Sequence, residues 1–441
     1  MEILGRTGSL CPVCLRRLPA TRERRGDTVF LTRICPEHGE FRVPVWRGSP
    51  GLEHWQRPKT PSRPQRPQTG ADQGCPFDCG LCPEHGQHTC TALVEVTQDC
   101  DLGCPVCFAS SGEAREPDPS LAELTARLTR LRQDAGACNL QLSGGEPCVR
   151  PDLPDIVAAS RSAGFVLIQV NSNGLRLARE PGYADALATA GLDSVFLQFD
   201  GSDRACTALR GRPLLDEKLR AIEACGRAGL GVVLVPTLVP GINDAELGLI
   251  LDLALERQPV VRGVHFQPAA SFGRFPWDPA VPRLTLPEVL SALAAQSHGL
   301  LQSGDFHPPC CEHAMCSFSG QFVLEQGRLR AVSRDESCCG PLEAREGARR
   351  AKAVTARQWA TPDPEQPLPP GADDFQRFLA RHAGRRRLSL SCMAFQDAWT
   401  LDLERVRGCC IHVAAPDGRR IPFCLYNLTA ADGRTLYRGR C

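Results

Sequence analysis

The segment TQDCDLGCPVCF, residues 97–108, separates Cys100, Cys104 and Cys107 by three residues and then two, directly after the apolar positions Leu93, Val94 and Val96. A loop with three thiolates can hold three corners of a four-iron four-sulfur cluster and leave the fourth iron open to a non-protein ligand. The same spacing also suits a zinc knuckle or a purely structural cluster, so the rest of the chain has to decide between them. An apolar run that ends on such a loop reads as a buried strand carrying a site at its carboxyl end.

Downstream, LQLSGGEP places Gly144, Gly145, Glu146 and Pro147 after a second apolar segment, Asn139 to Leu142. Paired glycines let backbone approach a ligand without a side chain intervening, and Glu146 offers a carboxylate to an ammonium group. GFVLIQVNSNG reads as a third buried strand, Phe165 to Val170, running out into Asn171 and Asn173. SVFLQFDG then ends on Asp200, GVVLVPTLVPGIND ends on Asn243, and GVHFQPAASFGR delivers Gln267, Ser271 and Arg274. Helix-like stretches with apolar spacing of three and four precede the later strands. Five or six strand–helix units with polar strand exits predict an α/β fold, a parallel barrel or partial barrel with its chemistry at one rim.

A three-cysteine loop followed one strand later by GGEP resembles the signature of the radical S-adenosylmethionine (radical SAM) superfamily. The resemblance implies a partial (β/α)6 TIM-like barrel over residues 93–300 and a SAM-binding 4Fe-4S cluster on Cys100, Cys104 and Cys107. It also implies reductive cleavage of SAM to a 5'-deoxyadenosyl radical. The positions it assigns to SAM contact are Phe108, Gly144, Gly145, Glu146, Pro147, Asn171, Asn173 and Asp200.

With a formal net charge of +1 over 441 residues, the chain has no polyanion-binding character, and no nucleic-acid partner is expected. It has no apolar run of membrane-spanning length, and its first residues lack a signal-peptide core, so a cytoplasmic location is expected. A reducing compartment turns the 24 cysteines from disulfide candidates into metal-ligand candidates. Cys138, Cys148, Cys206 and Cys225 stand alone inside the barrel region and read as small buried hydrophobes.

The remaining cysteines fall into groups. Cys11 and Cys14 pair with Cys35 and His38 at matching two-residue gaps, a four-ligand set for zinc or iron in a zinc-ribbon or rubredoxin-like module over residues 1–50. A proline-rich linker spans 51–70. Cys75, Cys79, Cys82 and Cys90 then crowd into residues 71–92, enough for an auxiliary 4Fe-4S cluster, with a second zinc site as the alternative. Residues 301–441 form a cysteine-rich carboxyl-terminal domain with Cys311, Cys316, Cys339, Cys392, Cys410 and Cys424. There Cys392, Cys410 and Cys424 could carry a second auxiliary cluster with Cys339, Cys409 or Cys441 as fourth ligand, and one member of each adjacent cysteine doublet reads as a bystander.

The phrases CPVC, ICPEHGEF, GCPFDCGLCPEHGQHTC, CCEHAMC and RGCCIHVAAPDGRRIPFCLYN together resemble the tetraether lipid synthase group of radical SAM proteins across nearly the whole chain. That group implies hydrogen abstraction from an unactivated carbon and carbon–carbon coupling, here of lipid alkyl chains. It also implies auxiliary clusters, a rubredoxin-like metal, an electron donor such as ferredoxin or flavodoxin, and peripheral contact with a membrane. A radical SAM methylase acting on a pterin, or a peptide-modifying enzyme, is the alternative with the same core. A non-catalytic iron–sulfur scaffold is the alternative of another class. The helix-like stretch Leu286 to Leu301 has an apolar face that suits a core better than a membrane.

Overall fold

The computed structural model describes residues 2–112, 117–278, 283–325, 328–332, 342–359 and 387–439. Six parallel strands form its centre: Thr91–Thr97, Asn139–Gly144, Ile168–Ser172, Ser194–Gln198, Gly231–Val235 and Val261–Pro268. Each pairs with the next in chain order, the arrangement of a (β/α)6 partial barrel. Their alternate residues Ala92, Val94, Leu140, Leu142, Ile168, Val170, Val195 and Val232 are buried in one continuous core with the helices packed outside. The third strand starts three residues later than the apolar run suggests. Phe165 is buried but closes the turn after helix Leu153–Ser162, its N–H reaching the Ser160 carbonyl at 3.3 Å.

Helix ends follow local chemistry. Helix Leu121–Ala135 opens on a Ser120–Glu123 capping box and buries Leu124, Leu128 and Leu131. Helix Leu286–Gln296 buries Leu286, Val289, Leu290 and Leu293, so its apolar stripe is a core face. Among the described residues, no helix is long and apolar enough to cross a membrane.

The sheet does not stop at residue 300. Strands Arg387–Met393 and Ser317–Glu325 extend it beyond the sixth core strand, and Ile411–Ala414 and Arg420–Pro422 extend it beyond the first. The described strands of the carboxyl-terminal third therefore continue the sheet of the core. They cover what would be two bare sheet edges with unpaired backbone groups. At the amino terminus, strands Glu2–Leu10, Arg17–Arg25, Thr28–Cys35 and Gly39–Arg47 make their own antiparallel sheet. It docks through buried Arg33, which donates to the carbonyls of Leu10 and Ala398, and through the Arg22–Asp402 ion pair at 2.7 Å. The proline-rich segment runs over the surface as a strap, with Trp55 Nε1 donating to the Ala314 carbonyl at 3.1 Å.

Candidate active site

The three cysteines of the signature loop pack together with Leu102, Leu175 and Leu214 beyond the carboxyl end of the first core strand. Two arginines fasten the loop. The backbone of Arg274 exchanges hydrogen bonds with that of Cys107 at 2.9 and 3.0 Å, and its Nε donates to the Cys104 carbonyl at 2.7 Å. Arg210 Nη1 donates to the Val106 carbonyl at 3.0 Å. Burial pushes the Cys100 thiol up to about 12, so the thiolate form needs the compensating charge of a metal. The donor set, three thiols on one pinned loop that all line the cavity wall, is of the chemistry the cluster takes.

The second motif works differently from the sequence expectation. A Cβ on Gly144 would lie 2.1 Å from the Thr97 carbonyl oxygen, and one on Gly145 the same distance from that of Asp99. What approaches the paired glycines is thus the root of the cysteine loop itself. The N–H groups of Gly145 and Glu146 bond those same carbonyls at 2.8 Å. Glu146 is buried, and its carboxylate accepts from the Asn173 N–H at 2.6 Å, the Ser172 hydroxyl at 2.8 Å and the Cys148 N–H at 3.0 Å. These contacts make it a strut between the ends of the second and third strands, and burial raises its pKa. Asn173 in turn donates to Asp101 Oδ1 at 2.7 Å, tying the third strand to the cysteine loop. Pro147 starts the short 3-10 turn Pro147–Val149.

A cavity of about 660 Å³ runs from this loop into the barrel. Phe108, Gly144, Gly145, Glu146, Asn171 and Asn173 line it, whereas Asp200 does not. The expectation for Asp200 is corrected. It is fully buried and gripped by Arg210 at 2.7 and 2.9 Å, because a carboxylate at a closed strand end takes the nearest guanidinium. Arg210 and Lys218 were not legible as site residues. Both come from helices after the fourth strand, Asp203–Arg210 and Leu215–Arg227, and reach back beneath the loop, Lys218 Nζ donating to the Asn173 carbonyl.

The other cysteines regroup. Cys11, Cys14, Cys35 and His38 meet with all ligand atoms within 4.8 Å of one another. The Cys14–Cys35 sulfur separation is 3.9 Å and His38 Nδ1 lies 3.5 Å from Cys35 Sγ. These are close to the edges, about 3.8 Å, of a tetrahedron with metal–sulfur bonds of about 2.3 Å. A second meeting joins Cys90, Cys311 and Cys410, all buried. Cys90 therefore leaves the group expected around Cys75. It stands at the start of the first core strand, its N–H on the Cys410 carbonyl at 2.8 Å.

Cys75, Cys79 and Cys82 stay together. A hydrogen bond from Cys79 holds the Cys75 thiol low, and Cys82 is pushed up by burial and by Cys75. The Cys409 thiol donates to the Ile411 carbonyl at 3.2 Å, and burial and then the nearby Cys424 and Cys316 push it up. Cys392 stands apart from these. It sits on a core strand with Phe266 and Phe318 as register neighbours, and burial alone raises its thiol. Cys339 and Cys441 lie outside the described residues.

Six parallel strands, a pinned three-thiol loop at their carboxyl ends and a cavity opening beside it define a radical SAM enzyme. The radical SAM superfamily model matches residues 94–254, and the HMPTM N-terminal zinc ribbon domain matches residues 3–47. The chain is 33% identical to the 7,8-dihydro-6-hydroxymethylpterin dimethyltransferase of Methanocaldococcus jannaschii, across 96% of its own length and 93% of the relative's, and it belongs to that family. It is also 33% identical to the GTP 3',8-cyclase of Paenarthrobacter nicotinovorans, over 43% of this chain and 54% of that one. Among solved structures, SuiB of Streptococcus suis is similar over 44% of this chain and 42% of its own, at 14% identity and a TM-score of 0.37.

Proposed function

We propose that the protein methylates a polar, planar heterocycle of the pterin class in a radical SAM reaction. The observation that carries this reading lies inside the barrel. Gln141, Asn171, Gln198 and His265 line the cavity, and Asn171 Oδ1 is buried and has no hydrogen-bond partner among the described residues. An alkyl chain there would leave that acceptor unsatisfied, at a cost of about 1–3 kcal/mol. The amino and ring N–H groups of a pterin supply donors for it. Phe196 and His265, stacked at 5.9 Å and 27°, add a flat surface on the same wall. The pterin dimethyltransferase activity of the Methanocaldococcus jannaschii relative agrees with this chemistry.

Coupling of lipid alkyl chains is supported less well. An alkyl chain would be served by the apolar part of the wall alone, and it leaves Ser143, Ser391 and the amides of Gln141, Asn171 and Gln198 without a polar partner on the ligand. When bound, the cluster supplies the electron for SAM cleavage, taken from a ferredoxin- or flavodoxin-type donor. The chain's own tasks are to orient and to exclude water. Leu102, Val106, Phe108 and Phe272 close the space next to the cysteine loop with apolar surface, which protects a reactive carbon centre from solvent.

The test is anaerobic incubation of reconstituted protein with SAM, dithionite and 7,8-dihydro-6-hydroxymethylpterin, read by mass spectrometry. The expected product carries one or two added methyl groups, and methyl-deuterated SAM reports whether SAM is their source. A parallel incubation with phospholipid vesicles that gives coupled alkyl chains, while the pterin stays unchanged, would overturn the reading.

A further inference from the structure

We propose that the amino-terminal metal module braces the signature loop, with Thr429 and Asp397 as the positioning residues that connect it to Cys107. The segment between the sixth core strand and Arg274 lies flush on that loop. A Cβ on Gly273 would stand 2.7 Å from the carbonyl oxygens of Cys107 and Phe108, and Arg274 pairs with Cys107 through two backbone hydrogen bonds. A displacement of residues 271–274 is therefore passed straight to the cysteine loop.

That segment is held from behind at two points. The Gly273 N–H donates to Thr429 Oγ1 at 3.0 Å, and the Ser271 N–H donates to Asp397 Oδ2 at 2.7 Å. The Thr429 hydroxyl gives its own hydrogen to the Asn427 carbonyl, which leaves its lone pairs for Gly273, and the fully buried Asp397 also pairs with Arg283. Both acceptors stand beside groups bonded to the metal module. Two residues after Thr429, the Ala431 N–H donates to the Pro12 carbonyl at 2.8 Å, and Arg434 Nη2 donates to the Val13 carbonyl at 3.2 Å. Pro12 and Val13 are the two residues between Cys11 and Cys14. Next to Asp397, the Ala398 carbonyl accepts from Arg33 Nη2 at 3.1 Å, while Arg33 Nε donates to the Leu10 carbonyl at 2.9 Å. Arg33 stands two residues before Cys35, and Leu10 directly before Cys11. The two routes thus leave both halves of the ligand set and arrive on either side of Phe272, which lines the cavity.

The module needs its metal to offer these carbonyls in place. Leu15, directly after Cys14, sits at φ 56°, a left-handed conformation that disfavours any residue with a Cβ. A sheet of four short strands, Glu2–Leu10 to Gly39–Arg47, has too little core to impose that turn without a staple. Joining Cys11 and Cys14 to Cys35 and His38 fixes the turn that carries the Pro12 and Val13 carbonyls, and with it the backing of Gly273 and Ser271. This inference does not depend on the methyl-transfer reading, because the signature cluster serves every radical SAM reaction.

The test uses full-length protein reconstituted anaerobically with iron and zinc, compared as wild type, Cys14→Ala/His38→Ala, Thr429→Val and Thr429→Ser. The readout is the part of the reduced protein's electron paramagnetic resonance spectrum that changes on adding SAM, assigned to the signature cluster by its loss in Cys100→Ala. Its decay under an iron chelator measures how firmly the loop holds the cluster. Thr429→Val, which keeps the shape and removes the hydroxyl, should speed that decay about 5-fold, whereas Thr429→Ser should match wild type. Cys14→Ala/His38→Ala leaves the module two ligands and should decay at least as fast as Thr429→Val. Combining the two should give less than the sum of their effects, since both loosen one segment. The Thr429 pair keeps the test independent of the module's own folding. A SAM-responsive signal as durable as wild type in Cys14→Ala/His38→Ala, equal decay in Thr429→Val and Thr429→Ser, or full additivity would each overturn the brace.

Discussion

Replacing Arg210 with methionine probes how the signature loop is held in place. The guanidinium is 8% exposed and Asp200 is 0% exposed. Arg210 donates to both Asp200 oxygens at 2.7 and 2.9 Å, to the Val106 carbonyl at 3.0 Å and to Thr237 Oγ1 at 2.9 Å. In Arg210→Met, Asp200 keeps the Thr237 N–H at 3.0 Å and the Gln198 amide but loses its bidentate partner, and the buried Lys218 ammonium is the cation left near it. Breaking one side of a buried pair costs about 3–5 kcal/mol, and the freed Val106 carbonyl adds about 1 kcal/mol at the loop. Adding Asp200→Asn removes the charge that lost this partner, so the double variant should recover roughly 2 kcal/mol relative to Arg210→Met. Denaturant unfolding by circular dichroism measures the first effect, and iron bound per chain measures the second. If Arg210→Met falls within about 1 kcal/mol of wild type, or its effect simply adds to that of Asp200→Asn, the ion pair does not hold the loop and the reasoning fails.

Other positions give independent checks. Gly145→Ala should abolish iron binding at the signature loop, because its Cβ would sit 2.1 Å from a backbone oxygen, while Gly103→Ala in the loop itself, with nothing within 4 Å, should retain it; iron analysis separates the two. Burial lowers the His265 pKa to about 4, so the unfolded chain takes up a proton first as pH falls below 6.5. Stability should therefore drop between pH 6.5 and about 4 by up to about 3 kcal/mol from this group, and His265→Gln should flatten that part of the profile in denaturant titrations. His38→Ala should remove one metal per chain and loosen the amino-terminal sheet, seen as faster proteolysis within residues 2–47, because a module that small needs the staple.

The parts of the fold that were legible in the sequence are those with local chemistry. Apolar runs ending on polar residues marked the six core strands, and the paired two-residue gaps of Cys11, Cys14, Cys35 and His38 marked a metal set that the structure closes. What was not legible depended on contacts distant in the chain. Nothing near Cys90 announces partners more than 200 residues away, and sequence proximity alone placed it with Cys82. Asp200 looked like a rim carboxylate because its partner Arg210 is brought in by a helix turn that no local pattern reveals. The paired glycines read as a place where backbone approaches a ligand, and the group that approaches them in the structure is the chain's own backbone, which a motif cannot distinguish from a ligand.

The adjacent pair Cys409 and Cys410 shows how a doublet can serve two centres. Both members of such a pair are awkward ligands for one metal, and successive residues entering an extended strand point to opposite sides. Just before strand Ile411–Ala414, Cys410 meets Cys90 and Cys311, while Cys409 is close enough to Cys424 and Cys316 for their charges to raise its pKa. A doublet divided in this way has no bystander, and the peptide between its members would link two groups of thiols on either side of one backbone. Cys409→Ser and Cys410→Ser should accordingly remove iron from different sets. Each single variant loses part of the iron, and the double variant loses the sum. If the double variant loses no more than either single one, the two thiols serve a common site and the division of the doublet is wrong.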